Sequence, residues 1–161
     1  MKFVVIDVQG FPIPEFEVKE LSIYDGKEMK TYTFKPKICY HHLPIHHKKT
    51  INYIFHNVHG IPYNSGYLPY KAMYNIIQEE LEGVDMVFVK GSIKKEFLLC
   101  TYNEMNLDPP CIVNLEFTSG PVPKLEQSYS NNCNYHRLEI CSCTVNNAHI
   151  LYDYIINLLT Q

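Results

Sequence analysis

A short apolar run near the start of the chain is the strongest constraint on its fold. Residues Lys2 to Val8 are almost continuously apolar and β-branched, as is typical of a strand buried on both faces. Gly10, Pro12 and Pro14 follow directly, and we expect them to end the strand. A strand of this kind needs partner strands beside it and helices above and below it, so it predicts an α/β fold.

The remaining elements follow in an order that defines the sheet. Two strands, Glu17 to Tyr24 and Glu28 to Lys35, flank the hairpin signal Asp25-Gly26. Helices are expected at His47 to Val58, where a strand also fits, and at Pro69 to Glu82, Ser92 to Tyr102 and Cys143 to Leu159. Short strands are expected at Val84 to Val89 and Cys111 to Leu115. This order predicts a mixed five-stranded sheet with helices on both faces and resembles that of the RNase H-like fold.

Composition limits the partners that the protein can have. The 161 residues carry a net charge of −3 and 46% hydrophobic residues, and we expect one domain spanning residues 1–161. This charge excludes a broad basic field, so any contact with nucleic acid must be local. Lysines form two local groups, and 13 tyrosines could stack on bases. The candidate nucleic-acid-binding residues are Lys35, Lys37, Lys48, Lys49, Lys90, Lys94 and Lys95.

No segment of the sequence has the character of a membrane span or a signal peptide. There is no run of about 18 apolar residues, and Asp7 interrupts the apolar stretch at the N-terminus. We therefore expect an intracellular protein, in the cytoplasm or the nucleus, without a membrane partner.

Three motifs along the chain resemble the landmarks of DEDD-type 3′–5′ exonucleases. They are Val5-Ile6-Asp7-Val8-Gln9-Gly10, then His59-Gly60-Ile61-Pro62, then Val89-Lys90-Gly91 followed by Phe97-Leu98. In that family four carboxylates hold two divalent cations, and a histidine acts as general base. The resemblance therefore implies a nucleic-acid-processing fold and five positions to inspect.

Matched to the family position by position, this sequence keeps one of the five catalytic groups. Asp7 is present, but Gln9, Lys94, Ser142 and Asn147 stand where the family has carboxylates and a histidine. The resemblance thus predicts a protein without two-metal 3′–5′ exonuclease activity. A salt bridge between Lys94 and Asp7 could replace the metal, although Asp7 could equally cap a turn at the strand end.

A cluster of cysteine and histidine near the C-terminus predicts a structural zinc site. Cys133-x-x-His136 followed by Cys141 or Cys143 supplies three ligands at a spacing that suits tetrahedral Zn²⁺. On a degenerate exonuclease fold, this arrangement resembles the Maelstrom domain of the animal piRNA pathway, which carries a Glu-Cys-His-Cys zinc set. That resemblance implies Glu20, Cys133, His136 and Cys143 as ligands. The alternative for Cys141 and Cys143 is a small apolar side chain at a helix start.

A second histidine-rich stretch, residues 41–47, has no cysteine or carboxylate at ligand spacing. We expect a polar surface loop there, to which Lys48 and Lys49 add positive charge. His59, beside Gly60, is expected to have a structural role in a turn.

Three functions of different classes remain. The leading hypothesis is a catalytically inactive, zinc-stabilised domain that binds RNA, other single-stranded nucleic acid or a protein partner such as a silencing-pathway protein. The family resemblance favours small-RNA silencing, or a viral or mobile element that interferes with it. The second is a metal-independent endonuclease for single-stranded RNA, since Maelstrom relatives are associated with that activity. The third is a scaffold that only binds proteins, which the acidic net charge favours.

Overall fold

A five-stranded mixed sheet forms the centre of the protein in a computed structural model, which describes residues 1–118, 122–125, 128–129, 140–141 and 143–161. The strands are β1 (Phe3–Pro12), β2 (Phe16–Tyr24), β3 (Met29–Thr33), β4 (Met86–Val89) and β5 (Cys111–Asn114), in the spatial order β3-β2-β1-β4-β5. β1 and β3 are antiparallel to β2, whereas β4 is parallel to both β1 and β5. The expected mixed five-stranded sheet is confirmed.

In the described ranges, four α-helices accompany the sheet: α1 (Ile45–Ile54), α2 (Ala72–Glu80), α3 (Ser92–Glu104) and α4 (Thr144–Leu159). A π-helical turn, Phe55–His59, extends α1, so the strand alternative for this segment is wrong. Short 3-10 turns lie at Tyr40–His42 and Leu115–Phe117, and β6 (Ser128–Tyr129) pairs with β7 (Ile140–Cys141). Within the described ranges, every helix falls short of the length and apolar character that crossing a membrane requires.

Helices cover both faces of the sheet because β1 alternates its side chains between two apolar clusters. On one face, α2 and α3 pack against Val4, Ile6 and Val8. On the other face, Val5 packs with residues of α4, namely Ala148, Leu151 and Ile155. Asp7 is two residues from Val5 and therefore belongs to the α4 face.

The sequence led us to expect that β1 ends before Gly10, but the strand passes through this residue. The strand continues to Pro12, with a bulge between Gln9 and Gly10 where the pairing with β2 shifts by one residue. A Cβ atom at Gly10 would lie 2.1 Å from the carbonyl oxygen of Glu17, so only glycine allows the two backbones to approach this closely. Gly10 therefore shapes the strand instead of ending it.

The histidine-rich stretch lies largely at the surface, as expected, but most of it is helical, so the expected loop conformation is wrong. It contributes a 3-10 turn and the start of α1, which are anchored by Leu43 and Ile51 against Phe11 at the far end of β1. His59 is completely buried and bonds the turn to the strand: its Nε2 lies 3.0 Å from the Gly10 carbonyl oxygen, and its Nδ1 accepts from the amide of Ile61. The apolar residues of α1 thus decide its conformation, while the exposed histidines are tolerated on its surface.

Candidate functional site

The carboxylate of Asp7 lies at the centre of a polar cluster between the sheet and α4. Asp7 is 0% exposed. Its Oδ1 accepts a hydrogen bond from the ammonium of Lys94, and its Oδ2 accepts one from Nδ2 of Asn147 at 2.8 Å. Three of the five positions matched to the exonuclease family, Asp7, Lys94 and Asn147, are therefore in direct contact.

The topology of the sheet brings these three residues together. Asp7 lies two residues beyond Val5, which pairs with Phe88 in the parallel strand β4, so Asp7 is level with the end of β4. α3 starts just after β4 and presents Lys94 from its first turn, with a side chain only 20% exposed. α4 packs across β1 and β2 and presents Asn147 from its own first turn.

Burial dominates the electrostatics of Asp7. Removal from water raises the pKa of its carboxyl above the ordinary value, and the nearby carboxylate of Glu20 raises it further. The charge and hydrogen bond of Lys94, together with the hydrogen bond of Asn147, act in the opposite direction. Lys94 therefore supplies the main compensation for a charge placed in the interior.

The other two positions contribute less to this contact. Gln9 is half-buried and pairs with Glu20 across the β1–β2 ladder, on the same face as Asp7. Ser142 lies outside the described residues. The side chains of Gln9 and Asn147 are amides without negative charge, so neither provides the carboxylate that a magnesium site uses.

Glu20 anchors the beginning of α4 from the neighbouring strand. Its Oε1 accepts hydrogen bonds from the backbone amide of Thr144 at 3.1 Å and from the Thr144 hydroxyl at 2.5 Å. Both residues are fully buried. A carboxylate at this position satisfies an amide that the helix itself leaves unpaired and interacts favourably with the helix dipole.

Two further hydroxyl groups complete the cluster. Ser22 Oγ lies 2.7 Å from Thr144 Oγ1 and 2.9 Å from Thr31 Oγ1, linking β2, β3 and α4. Our sequence reasoning missed Ser22 and Thr144. A signal was present, because Glu20 and Ser22 are polar alternate residues of β2 and therefore point to the same face of the sheet.

The structure describes two of the four expected zinc ligands, Glu20 and Cys143. Cys143 is 1% exposed and immediately precedes Thr144, whose amide bonds Glu20, so the two expected ligands approach the same point of the fold. Cys133 and His136 lie outside the described residues, as does the side chain of the alternative ligand Cys141. Among the side chains that the structure does describe, no three metal-binding groups come together.

The lysines expected to contact nucleic acid differ in their availability. In the first group, Lys35, Lys37 and Lys49 are exposed, and half-buried Lys48 places its ammonium 5.3 Å from the centre of the Tyr40 ring.

In the second group, Lys90 donates to the carbonyl of Pro123 at 2.6 Å. Lys94 donates to Asp7, and Lys95 is half-buried. The first group is therefore the better candidate for phosphate contacts.

A second buried lysine was not anticipated from the sequence. Lys19 is 1% exposed, and its ammonium donates to the carbonyl oxygens of Phe34, at 2.5 Å, and Ser65. Burial lowers the pKa of Lys19 to about 8, and the nearby charge of Glu17 partly opposes that shift. These contacts join β2 to the segment before α2, so we interpret Lys19 as a structural residue.

The carboxylates of Asp7 and Glu20 both accept hydrogen bonds from donors inside the polar cluster. Around Asp7 the donors are an ammonium and an amide, and around Glu20 they are a backbone amide and a hydroxyl.

No model of a known protein family matches the chain, and no curated protein matches its sequence. The geometry of the site therefore carries the functional argument.

Proposed function

We propose that the protein is an RNase H-like pseudo-exonuclease, a domain that binds single-stranded RNA without cleaving it by two-metal catalysis. The fold component of the proposal is supported by the strand order β3-β2-β1-β4-β5, with β2 antiparallel to a parallel group of three strands. It is also supported by the position of Asp7, at the point where the sequence resembles the first catalytic carboxylate of the exonucleases.

The contact between Lys94 and Asp7 is the observation that carries the proposal. In a two-metal nuclease, a carboxylate at this position binds a divalent cation that activates water and stabilises the transition state. Here the same carboxylate is already neutralised by an ammonium group within hydrogen-bond distance. The lysine therefore takes the electrostatic role of the cation without its chemistry.

Electrostatic repulsion prevents the Lys94 ammonium and a divalent cation from binding Asp7 at the same time. A divalent cation beside Asp7 would lie within a few ångströms of the Lys94 ammonium, where like charges repel by several kcal/mol at the effective dielectric of a protein. Asn147 and Gln9 offer no compensating charge. Binding of Mg²⁺ would require Lys94 to leave Asp7, which would expose an uncompensated buried charge during the exchange.

The second component of the proposal is a structural zinc ion held by Glu20, Cys133, His136 and Cys143, as in the Maelstrom domain. It is supported by the hydrogen bond of Glu20 to the amide of Thr144, the residue that follows buried Cys143 at the start of α4. Zinc at that point would tie the segment before α4 to β2 and add folding free energy. An intracellular role in small-RNA silencing, or in an element that interferes with it, belongs to the same proposal.

The test is a cleavage and binding assay on one preparation of the full chain. Labelled single-stranded RNA is incubated with the protein in Mg²⁺, in Mn²⁺ and in EDTA, and binding is titrated at two salt concentrations. We expect salt-dependent binding without cleavage, since phosphate contacts weaken steeply as salt increases. The cleavage assay is repeated on Asp7→Asn. Asp108→Asn, which changes an exposed carboxylate, is its matched control.

Three results would contradict the proposal. Cleavage that needs Mg²⁺ or Mn²⁺ and is lost in Asp7→Asn would mean an active two-metal nuclease. Cleavage that persists in EDTA would mean a metal-independent ribonuclease. Absence of RNA binding at low salt would leave a protein partner as the target.

A further inference from the structure

The acidic and basic residues of the protein are unevenly distributed along the chain. Residues 29–78 contain no aspartate or glutamate, so all 17 acidic residues lie elsewhere. The same fifty residues hold six lysines, Lys30, Lys35, Lys37, Lys48, Lys49 and Lys71, and six histidines, His41, His42, His46, His47, His56 and His59. A net charge of −3 for the whole chain therefore conceals a strongly basic part, and such charge asymmetry is typical of an anion-binding surface.

The fold places part of this segment over the far end of β1. The 3-10 turn Tyr40–His42, α1 and the residues after the π turn pack around Phe11. Two lysines of the segment lie elsewhere: Lys30 pairs with Glu80 at 2.9 Å, and Lys37 places its ammonium 4.5 Å from the centre of the Tyr70 ring. Lys48 and Lys49 lie on α1, and within the described part of the chain neither forms an ion pair with a carboxylate.

An open groove with aromatic walls lies on this surface. It has a volume of about 270 Å³ and is lined by Tyr40, Phe55 and Tyr63, with the amides of Asn52 and Asn64 also in the lining. The ring centres of Tyr40 and Tyr63 are 6.1 Å apart, and their planes are tilted by 59°. The groove thus combines π surfaces with hydrogen-bonding groups, which is the chemistry that holds an unstacked base in single-stranded nucleic acid.

One aromatic wall of the groove, the ring of Tyr63, is held in place before any ligand binds. The hydroxyl of Tyr63 donates to the carbonyl of Ile38 at 2.7 Å, and the ring packs edge-on against Phe11. The ammonium of Lys48 lies over the Tyr40 ring, at one side of the groove. A preformed aromatic site loses little conformational entropy on binding, and an adjacent ammonium can contact the phosphate next to a bound base.

We propose that this groove binds one base of single-stranded RNA by stacking on Tyr40 and Phe55, while Lys48 and Lys49 contact the neighbouring phosphates. The inference rests on the proposed RNA-binding function and specifies where and how that binding occurs. The charge of the segment argues for a polyanion as occupant, since Lys48 and Lys49, which have no ion pair among the described residues, attract an anionic partner and repel a basic one.

The test measures the affinity of the full chain for a labelled twelve-nucleotide single-stranded RNA by fluorescence anisotropy. Tyr40→Leu and Phe55→Leu remove a π surface while keeping apolar volume, and Lys48→Gln with Lys49→Gln removes two charges. Tyr67→Leu and Lys71→Gln are matched controls, because both residues are exposed and belong to the same acid-free segment but lie outside the groove. Circular dichroism and thermal unfolding verify the fold of each variant.

We expect each aromatic variant to weaken binding by about ten-fold, in keeping with the loss of one stacked base. The double lysine variant should reduce the slope of log affinity against log salt by about 1.4, since each phosphate contact contributes about 0.7 for a single strand. Both controls should bind as the wild type does. An RNA that lacks bases should bind the wild type and the aromatic variants equally.

The outcomes separate the groove from the function. If the wild type binds RNA and the aromatic and lysine variants bind it equally well, the groove is not the site, although the proposed function stands. If the wild type does not bind RNA, the function and the groove both fail. Should Tyr40→Leu not fold, Phe55→Leu decides the question alone.

Discussion

Lys94 donates a hydrogen bond to the buried carboxylate of Asp7 across a sequence separation of 87 residues, joining the first turn of α3 to the central strand of the sheet. The contact neutralises a carboxylate at the position where the sequence resembles the exonucleases. In the proposed function, the same two residues exclude a divalent cation, so the stability of the fold allows this electrostatic proposal to be tested without a substrate.

A double-mutant cycle measures this pair. We expect Lys94→Met to lower the free energy of unfolding by roughly 2–4 kcal/mol, because it leaves Asp7 buried without a cation. Asp7→Asn combined with Lys94→Met should recover at least half of that loss, since no charge remains to be compensated. Lys30→Met is the matched control: it breaks a partly exposed pair with Glu80 and should cost less than about 1 kcal/mol. Equal losses in the two single lysine variants, measured by urea denaturation, would contradict this account.

The same pair should respond to pH. Burial already raises the pKa of Asp7, and removing Lys94 should raise it further. A carboxyl whose pKa is higher in the folded state than in the unfolded state contributes to the free energy of unfolding. This contribution is complete below the unfolded pKa of about 3.9 and is lost as pH rises through the folded pKa. Lys94→Met should therefore approach the Asp7→Asn/Lys94→Met double variant in stability as pH falls from 7 towards 5. A constant gap across this range would show that Asp7 does not titrate as described.

Lys19 provides an independent test at alkaline pH. Its pKa of about 8 is lower than the unfolded value of about 10.4, so between these values the unfolded chain binds more protons and stability rises with pH. The wild type should gain up to about 3 kcal/mol relative to Lys19→Met between pH 7.5 and 10.5. Exposed Lys71→Met is the control for the loss of one lysine. The increase in the free energy of unfolding of the wild type over this pH range should be larger relative to Lys19→Met than relative to Lys71→Met. Equal increases would argue against a buried ammonium at Lys19.

Zinc content tests the Maelstrom-like component of the proposal. We expect about one zinc per chain in the native protein, and loss of both zinc and thermal stability in Glu20→Ala, Cys133→Ser, His136→Ala and Cys143→Ser. Thermal stability alone would mislead, because Glu20 also binds the amide and hydroxyl of Thr144. Thr144→Val removes the hydroxyl contact but no ligand, so it should lower the melting temperature and retain zinc. A metal-free wild type would rule out the zinc set.

The sequence predicted the sheet well because its elements are encoded by local patterns. The apolar run of β1, the Asp25-Gly26 hairpin and the apolar stripe of α2 each specify an element from a few neighbouring residues. The end of β1 was missed because glycine can break a strand or permit a close backbone approach. The choice at Gly10 is made by the carbonyl of Glu17, which the local pattern does not contain.

The candidate site was only partly predictable. The pattern of Phe97-Leu98 indicated that Lys94 matches a catalytic position, but the partners of Glu20 depend on how α4 packs across β2. Similarly, Tyr40 and Tyr63 form one groove only because both pack around Phe11. Contacts of this kind arise from tertiary structure and leave no periodic signal in the sequence.

Divalent cation binding tests the central claim most directly. Mn²⁺ is titrated into the wild type and into a variant that restores the family carboxylates, Gln9→Glu/Lys94→Asp/Asn147→Asp, with isothermal titration calorimetry as the readout. We expect no saturable binding that depends on Asp7 in the wild type and binding in the restored variant, because the ammonium is gone and carboxylates surround the site. Saturable Mn²⁺ binding by the wild type that disappears in Asp7→Asn would contradict the claim that Lys94 has replaced the metal.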